Sequence, residues 1–299
     1  MESRIEMTQV GTGKYRYELI QDYARLPAGE SFGLVSRVAV DSQDRVYVFQ
    51  RKNPPVVVFD RDGKYLDSWG IGEVKDPHGL RIVNDLAYIT DREDSVAVIY
   101  TLDGKPLQVI GRRGVHSDTG CEKPGALVPR AAGPFNYPTE MAPGPSGDLY
   151  VTDGYRNCRV HRFTREGQLI KSWGEPGKTG PGQFHLPHGL VITPDEKLYV
   201  CDRGNRRVQV FSADGEFIKM WSTGKGGPND IARDKDGVFY IAEQKSDDAP
   251  GFVSIRDGAG TVLARWPIRH AHGVAVDSRG DIYLGLSGER SVDKCVRRG

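Results

Sequence analysis

Histidine followed by glycine occurs three times in the sequence, each time leading into an apolar run. The pairs are His78-Gly79, His188-Gly189 and His272-Gly273, in the strings DPHGL, LPHGL and HAHGV. Three imidazoles that meet at one point, with a fourth position left open, are the ligand set of a catalytic zinc. The unequal intervals between the pairs match no linear metal motif, so the elements between the histidines must decide whether they meet.

A repeat of roughly 40 residues underlies these intervals. Each copy has an apolar run and a polar turn, then a strand that begins at an equivalent tyrosine, then two alternating strands joined by a turn such as RDG, LDG, REG or ADG. The equivalent tyrosines are Tyr47, Tyr88, Tyr150, Tyr199, Tyr240 and Tyr283. Units of this length with four short strands are typical of propeller blades. The sequence therefore predicts an all-β fold, a six-bladed β-propeller.

The repeat also gives the expected domain organisation. The predicted blades span approximately residues 31–70, 76–111, 136–174, 185–222, 226–266 and 271–299. The last copy is one strand short, and residues 14–20 are expected to supply that strand and close the ring. The four tryptophans, Trp69, Trp173, Trp221 and Trp266, fall in fourth strands, where large aromatic side chains fill the space between blades. Residues 1–299 are thus expected to form a single domain.

Counted in blades, the three histidines are evenly spaced. His78, His188 and His272 precede the inner strands of blades two, four and six, and inner strands line the channel of a propeller. The expected ligand is Zn²⁺ or another divalent transition metal. The glycines are expected to let backbone and metal approach closely. The open alternative is that each PHG is a turn whose imidazole bonds a neighbouring carbonyl.

Residues that follow the second strand of a blade lie at the same end as the start of the first strand, because the two strands are antiparallel. This places several charged and aromatic side chains near the histidines. The candidates for catalysis or substrate binding are Arg51, Tyr155, Arg159 and Arg203, together with His270, which is close in sequence to His272. For Arg92, Arg206 and Glu243 a solvated rim is favoured. Loop packing of Tyr155 and ion pairing of Arg51 and Arg203 between blades stay open as alternatives.

Composition argues against several classes of partner. Lys and Arg number 41 against 40 Asp and Glu, which gives a net charge of +1 and no basic field for nucleic acid. The sequence shows no signal-peptide core and no long apolar run, so no membrane association is expected. The four cysteines lack CxxC spacing and are expected to be reduced thiols in a cytoplasmic protein.

The repeats resemble the NHL-repeat family over nearly the whole chain, a family that includes enzymes, protein-binding modules and RNA binders. The strings FQRK, DPHGL, DGYRNCRV, GPGQFHLPHGL and DRGNRRVQVF are also similar to segments of the peptidyl-α-hydroxyglycine α-amidating lyases. This resemblance implies cleavage of the C–N bond of an N-acyl-α-hydroxyglycine into an amide and glyoxylate, a carbon–nitrogen lyase reaction. It implies zinc on His78, His188 and His272, Tyr155 as general base, and Arg51 and Arg203 as substrate-binding and electrostatic residues.

The chain departs from the family in places that matter for cofactors. The family has an aspartate that binds structural calcium where this chain has Gly273, so calcium is not expected there. Asn136 and Arg156 replace the family's disulfide cysteines, which agrees with an intracellular enzyme. The Pro/Gly-rich segment 112–136 is a candidate lid or specificity loop.

The substrate is expected to be a small molecule with an α-hydroxy acid group, supplied by a hydroxylase that is a separate protein. Two other functions stay open, a metal-dependent lactonase or other hydrolase and a non-enzymatic NHL interaction scaffold.

Overall fold

The structure is a computed structural model that describes residues 8–299. These residues form 27 strands and one turn of 3-10 helix, Arg203–Asn205. Strands β1 to β14, in chain order, cover Thr8–Thr12, Tyr15–Ile20, Val35–Val40, Val46–Gln50, Val56–Phe59, Tyr65–Trp69, Pro77–Val83, Leu86–Asp91, Val96–Thr101, Pro106–Gly111, Pro138–Pro143, Leu149–Asp153, Arg159–Phe163 and Leu169–Trp173. Strands β15 to β27 cover Glu175–Pro176, Gln183–Phe184, Pro187–Ile192, Leu198–Asp202, Arg207–Phe211, Phe217–Ser222, Pro228–Arg233, Phe239–Glu243, Gly251–Arg256, Val262–Ile268, Ala271–Val276, Ile282–Leu286 and Ser291–Arg297.

Consecutive strands pair into six blade sheets, which confirms the predicted six-bladed β-propeller. The sheets are β3 to β6, β7 to β10, β11 to β14, β17 to β20, β21 to β24, and β25 to β27 with β2 and β1. Period-2 alternation of apolar residues fixes their register, as in β12 and β13, where Val151 lies opposite His161 and Asp153 opposite Arg159. The pair β15 and β16 is a short parallel ladder before blade four.

The chain divides into two compact units. One comprises residues 8–71 and 231–299 and the other comprises Gly72–Asp230, so the boundary falls inside β21. Blades two, three and four belong to the unit Gly72–Asp230, here called unit B. Blades one, five and six belong to the other, unit A.

In unit A the N-terminal strand completes the sixth blade, as predicted. Strand β2 pairs with β27, with Tyr17 opposite Arg297 and Leu19 opposite Cys295. A further strand, β1, pairs with the outer side of β2 and was not predicted. Trp266 of blade five is buried and stacks on Tyr17 with ring centroids 5.3 Å apart, which joins blades five and six in the way expected of the tryptophans.

Unit B has its own apolar core between blades three and four. Trp173 is buried there with Phe184 and Phe211, its ring centroid 6.1 Å from that of Phe211. Trp221, at the equivalent position of blade four, is only partly buried, so the expectation that every tryptophan fills a gap between blades holds less well there.

The four cysteines, Cys121, Cys158, Cys201 and Cys295, are all free thiols. Among residues 8–299, no helix has the length and apolarity needed to span a bilayer.

Candidate active site

A buried aspartate ends the second strand of each blade in unit B and anchors the loop that follows it. Asp91 accepts hydrogen bonds from the backbone N–H groups of Lys75 and Asp76, and Asp153 accepts from that of Asn136. Asp202 accepts from the N–H of His185. In each blade the carboxylate ties the end of strand two to the segment that enters strand one. The side chains just after these aspartates are thereby held near the strand-one histidines.

Arg203 and Tyr155 occupy equivalent loops. Asp202 binds the side chains of Asn205 and Arg207 at 2.8 and 2.7 Å, and this closes the 3-10 turn that begins at Arg203. Burial raises the pKa of the Asp202 carboxyl, although these donors act in the opposite direction. Asp153 likewise accepts from the Asn157 side chain at 2.9 Å and frames the loop of Tyr155.

His78 and His188 lie together in unit B, as predicted. Both are fully buried, their ring centroids are 4.8 Å apart, and their ligand nitrogens lie within 4.8 Å of each other. His78 Nδ1 is 2.7 Å from the carbonyl oxygen of Thr139, and His188 Nδ1 is 2.5 Å from that of Asn229. A carbonyl oxygen only accepts, so Nδ1 carries the proton and Nε2 presents its lone pair in the neutral ring.

His272, in unit A, is held in the same way. It is buried, and its Nδ1 lies 2.7 Å from the carbonyl oxygen of Ser36. Arg37 Nη1 is 2.9 Å from the same ring nitrogen, but its two protons have carbonyl acceptors at Ser36 and His272. We therefore assign the Nδ1 proton to the bond with Ser36, and Nε2 is again the ring nitrogen directed away from the carbonyl.

The glycine after each histidine packs against the next blade. An added Cβ at Gly79 would lie 2.4 Å from the Thr139 carbonyl oxygen, and one at Gly189 would lie 2.8 Å from Asp230 Cα. At Gly273 the clash is with Arg37 Cα at 2.9 Å. The structure thus gives these glycines a different reason from the expected close approach of backbone to metal. They let the inner strand approach the neighbouring strand closely enough for the histidine to reach its carbonyl.

Tyr155 and Arg203 meet at the lone pair of His188. The Tyr155 hydroxyl is 3.4 Å from His188 Nε2, and Arg203 Nη1 lies 3.2 Å from that hydroxyl and 3.1 Å from Nε2. Arg203 donates to both, which agrees with an unprotonated Nε2. The Tyr155 ring also packs edge-on against His78, with centroids 5.0 Å apart. These contacts group His78, Tyr155, His188 and Arg203 within unit B.

Arg92 belongs to the same group, contrary to the expectation of a solvated rim. Its side chain is 19% exposed, its Nε donates to Asp76 at 2.6 Å, and its guanidinium carbon is 4.7 Å from the Tyr155 ring centre. A sequence signal was present, because Arg92 follows Asp91 as Arg203 follows Asp202.

Glu243, in unit A, also differs from the solvated-rim expectation. It is fully buried and paired with Arg256 and Arg265, at 3.3 and 2.7 Å. A buried carboxylate requires such partners to offset its desolvation. Arg206 is exposed, as expected.

The remaining candidates are Arg51, His270 and Arg159. Arg51, directly after β4, and His270, just before β25, are both partly exposed in unit A. Arg159, at the start of β13 in unit B, forms an ion pair with Glu175 at 3.7 Å. Their roles in substrate binding stay predictions.

The segment 112–136 packs over the Tyr155 loop. The N–H of Gly125 donates to the Tyr155 carbonyl at 2.6 Å, and the Thr119 hydroxyl donates to the Arg156 carbonyl at 2.5 Å. His185 Nε2 lies 3.1 Å from the Gly125 carbonyl. Substrate bound at Tyr155 would therefore have this loop beside it.

The donor chemistry fits a transition metal. In His78, His188 and His272 a backbone carbonyl contacts Nδ1, and such a carbonyl is the usual outer partner of metal-bound imidazole. Borderline-soft imidazole nitrogens suit Zn²⁺ and its first-row neighbours and do not suit calcium.

Comparison with known proteins agrees with the fold. The NHL repeat model matches residues 184–211. A streptogramin B lyase structure superposes with a TM-score of 0.65 at 13% identity, covering 94% of this chain and 98% of that one. A gluconolactonase from Xanthomonas campestris gives 0.66 at 15% identity, covering 94% and 90%. At these identities the likeness concerns the fold alone.

Sequence relatives carry several kinds of name. Human NHL repeat-containing protein 3 is 32% identical over 250 residues, 78% of this chain and 68% of the relative. Peptidyl-alpha-hydroxyglycine alpha-amidating lyase 1 of Drosophila melanogaster is 32% identical over 272 residues, and the match spans 79% of this chain but 47% of the fly protein. A Caenorhabditis elegans protein named as a probable lyase of the same kind is 27% identical, with 78% and 67% covered. By its repeats, its fold and these relatives, the chain belongs to the NHL-repeat family of β-propeller proteins.

Proposed function

We propose that the protein is a metal-dependent carbon–nitrogen lyase that cleaves an N-acyl-α-hydroxyglycine into an amide and glyoxylate. The observation that carries this proposal is the position of the Tyr155 hydroxyl, which lies 3.4 Å from His188 Nε2 and 3.2 Å from Arg203 Nη1. A phenol between a metal-ligand nitrogen and a guanidinium is suited to exchange a proton with a substrate hydroxyl bound there.

In this proposal one metal ion is held by Nε2 of His78, His188 and His272, the ligand set that the family resemblance implies. The equivalent Nδ1-to-carbonyl bonds of the three rings support it, because they engage the same nitrogen, Nδ1, in each ring. When bound, the metal supplies Lewis acidity at the substrate's oxygen and keeps a coordination position open.

Arg203 binds the substrate carboxylate, since a guanidinium fork holds a carboxylate in two parallel hydrogen bonds. This fixes the α-carbon and its hydroxyl beside Tyr155. Arg92, stacked on the same ring, adds a second positive charge that favours the phenolate. Arg51 is proposed as a further substrate-binding residue on the basis of the family resemblance.

The reaction balances without any added reagent. Tyr155, as phenolate, takes the proton of the α-hydroxyl, and the oxygen's electron pair forms the carbonyl of glyoxylate. The C–N bond breaks with its electron pair moving to the amide nitrogen. The same proton then returns from Tyr155 to that nitrogen, which gives the amide and restores the phenolate.

The relatives named as α-amidating lyases support this reading at moderate identity. The chain spans only 47% of the fly enzyme, so its activity and substrates are proposals for this protein.

The decisive experiment measures glyoxylate release from α-hydroxyhippurate, a peptidyl α-hydroxyglycine and ureidoglycolate, with and without a chelator. We expect release from at least one substrate, its loss after chelation and its return with Zn²⁺. Protein purified without a histidine tag should contain about one equivalent of metal.

Two outcomes would contradict the proposal. Hydrolysis of a ring ester without glyoxylate release from any substrate would favour a lactonase. Less than half an equivalent of metal, with none taken up on addition, would favour a non-enzymatic scaffold.

A further inference from the structure

Three arginines contact two tyrosine rings beside the loop that carries Tyr155 in unit B. The guanidinium carbons of Arg203 and Arg92 lie 5.4 and 4.7 Å from the centre of the Tyr155 ring. Arg92 is also 5.5 Å from the Tyr137 ring, over which Arg156 lies at 4.9 Å. The Tyr155 N–H donates to the Tyr137 carbonyl at 3.4 Å, which holds the two rings side by side. We call these five residues the arginine shelf.

The shelf carries more positive charge than the protein neutralises. Within residues 8–299, Asp76 is the carboxylate paired with the shelf, through Arg92 Nε. The structure gives Arg156 and Arg203 no ion pair in the same range, and Arg156 Nε is a buried atom that lacks a hydrogen-bond partner. Buried guanidinium donors without partners are costly, so a ligand that supplies acceptors would bind favourably.

The proposed reaction uses only part of this charge. An N-acyl-α-hydroxyglycine has one carboxylate, which Arg203 holds beside the Tyr155 hydroxyl. Arg92 Nε donates to Asp76, and the two terminal nitrogens of its guanidinium remain over the Tyr155 ring. Arg156 lies over the Tyr137 ring, which Arg92 also contacts. A substrate with a single carboxylate therefore leaves the terminal donors of Arg92 and Arg156 unused.

The segment 112–136 borders the shelf. The Thr119 hydroxyl donates to the Arg156 carbonyl, and the Gly125 N–H donates to the Tyr155 carbonyl, so the loop holds the backbone of both residues. Among charged residues of this loop, Asp118 and Arg130 form an exposed ion pair.

We propose that the site selects substrates whose acyl group carries a second carboxylate, which Arg92 and Arg156 bind while Arg203 binds the first. This rests on the proposed lyase function and specifies its substrate class as small dicarboxylates. The three guanidiniums can reach one small molecule, because Arg92 contacts both tyrosine rings, Arg203 contacts that of Tyr155 and Arg156 contacts that of Tyr137. A neutral acyl group would leave Arg156 unpaired.

The kinetic test compares N-succinyl-α-hydroxyglycine with N-butanoyl-α-hydroxyglycine, which differ at the end of the acyl chain. We expect kcat/KM of the wild type to favour the succinyl substrate by about 10-fold or more, the effect of one hydrogen bond to a charged group. Arg156→Gln should lower this ratio by about 10-fold. Arg206→Gln removes an exposed arginine from the neighbouring loop and should leave the ratio unchanged. Equal kcat/KM for the two substrates in the wild type, or a ratio unaffected by Arg156→Gln, would overturn the proposal.

A binding test keeps the result independent of turnover. Glutarate binding is measured by calorimetry on the wild type, Arg156→Gln and Arg156→Lys, with butyrate as the single-carboxylate control. The dicarboxylate should bind about 10-fold more tightly than butyrate, and either variant should lose that advantage because Lys lacks the planar fork. Tighter binding of glutarate than of butyrate, without glyoxylate release, would refute the proposed lyase function but support the second carboxylate site. Glyoxylate release from neutral substrates, with equal binding of glutarate and butyrate, would refute the second carboxylate site but support the lyase function.

Discussion

Replacing Gly189 by alanine tests the link between blade packing and the histidine site. The new methyl carbon would lie 2.8 Å from Asp230 Cα, 3.0 Å from Asp230 Oδ1 and 3.2 Å from the Asn229 carbonyl oxygen. Carbon atoms in contact prefer a separation of about 3.5–4.0 Å, so the two strand segments must move apart by roughly 1 Å. The preceding residue, His188, bonds this same Asn229 carbonyl, so the movement acts directly on its imidazole.

The expected loss follows from that displacement. A shift of about 1 Å in a positioning group costs roughly 100-fold in rate, and overpacking of a closely packed interior costs about 1–3 kcal/mol of stability. We therefore expect Gly189→Ala to fold, with a lower melting temperature, weaker metal binding and kcat/KM for glyoxylate release reduced about 100-fold.

The assay measures metal affinity by competition with a chromogenic chelator, activity by glyoxylate release and stability by thermal melting. Gly288→Ala is the matched control, because an added Cβ there has no heavy atom within 4 Å. Wild-type metal affinity and activity in a folded Gly189→Ala variant would refute the argument that close approach of the strands positions His188.

Three further predictions follow from the site and the core. His272→Ala should reduce bound metal to below about 0.2 equivalents while unit B keeps its fold, because a two-histidine site lacks the ligands for tight binding. Metal analysis after dialysis measures this content. Full retention of the metal would contradict the assignment of His272 as a ligand. Tyr155→Phe keeps the ring contacts and should retain metal but lose about 10²–10⁴-fold in kcat, and unchanged turnover would exclude Tyr155 as the base. Burial raises the pKa of the Cys158 thiol to about 12. The unfolded chain ionises this thiol at lower pH, so stability should fall by about 1.4 kcal/mol per pH unit above the unfolded pKa. Urea unfolding measured from pH 8 to 10 should show that the free energy of unfolding falls less steeply for Cys158→Ala than for the wild type. Equal slopes would contradict the assignment of this pH dependence to Cys158.

The fold is predictable from the sequence because the same pattern of strands and turns recurs in every blade. Alternating strands, acidic-glycine turns and the equivalent tyrosines recur in each blade, and β2 was identified because the last copy lacked a strand. The extra strand β1 was missed because it belongs to no repeat. A short segment outside the pattern gives no periodic signal that separates a strand from a loop.

Arg92 and Glu243 show where sequence reasoning fails for charged residues. Arg92 follows β8 and Glu243 is the last residue of β22, and because such positions are usually solvated, exposure is the favoured prediction. Arg92 instead stacks on a tyrosine of the next blade, and Glu243 is buried by two arginines of its own sheet. The partners lie 63 residues away for Arg92, and 13 and 22 residues away for Glu243. For Arg92 the match to Arg203 indicates the site but not the ring on which it stacks, and for Glu243 the local pattern indicates neither partner.

For the histidines, the structure shows that the two interpretations left open by the sequence do not exclude each other. The sequence left two interpretations, a metal ligand or a turn histidine bonded to a neighbouring carbonyl, as if one excluded the other. The carbonyl bonds exist for His78, His188 and His272, each to the residue that occupies the equivalent position in the next blade. That bond engages Nδ1 and directs Nε2 away from the carbonyl, which is the arrangement that a metal-ligating histidine requires. The bond expected of a structural histidine is therefore compatible with metal binding. Both follow from a histidine in one blade and a residue that offers its backbone carbonyl in the next.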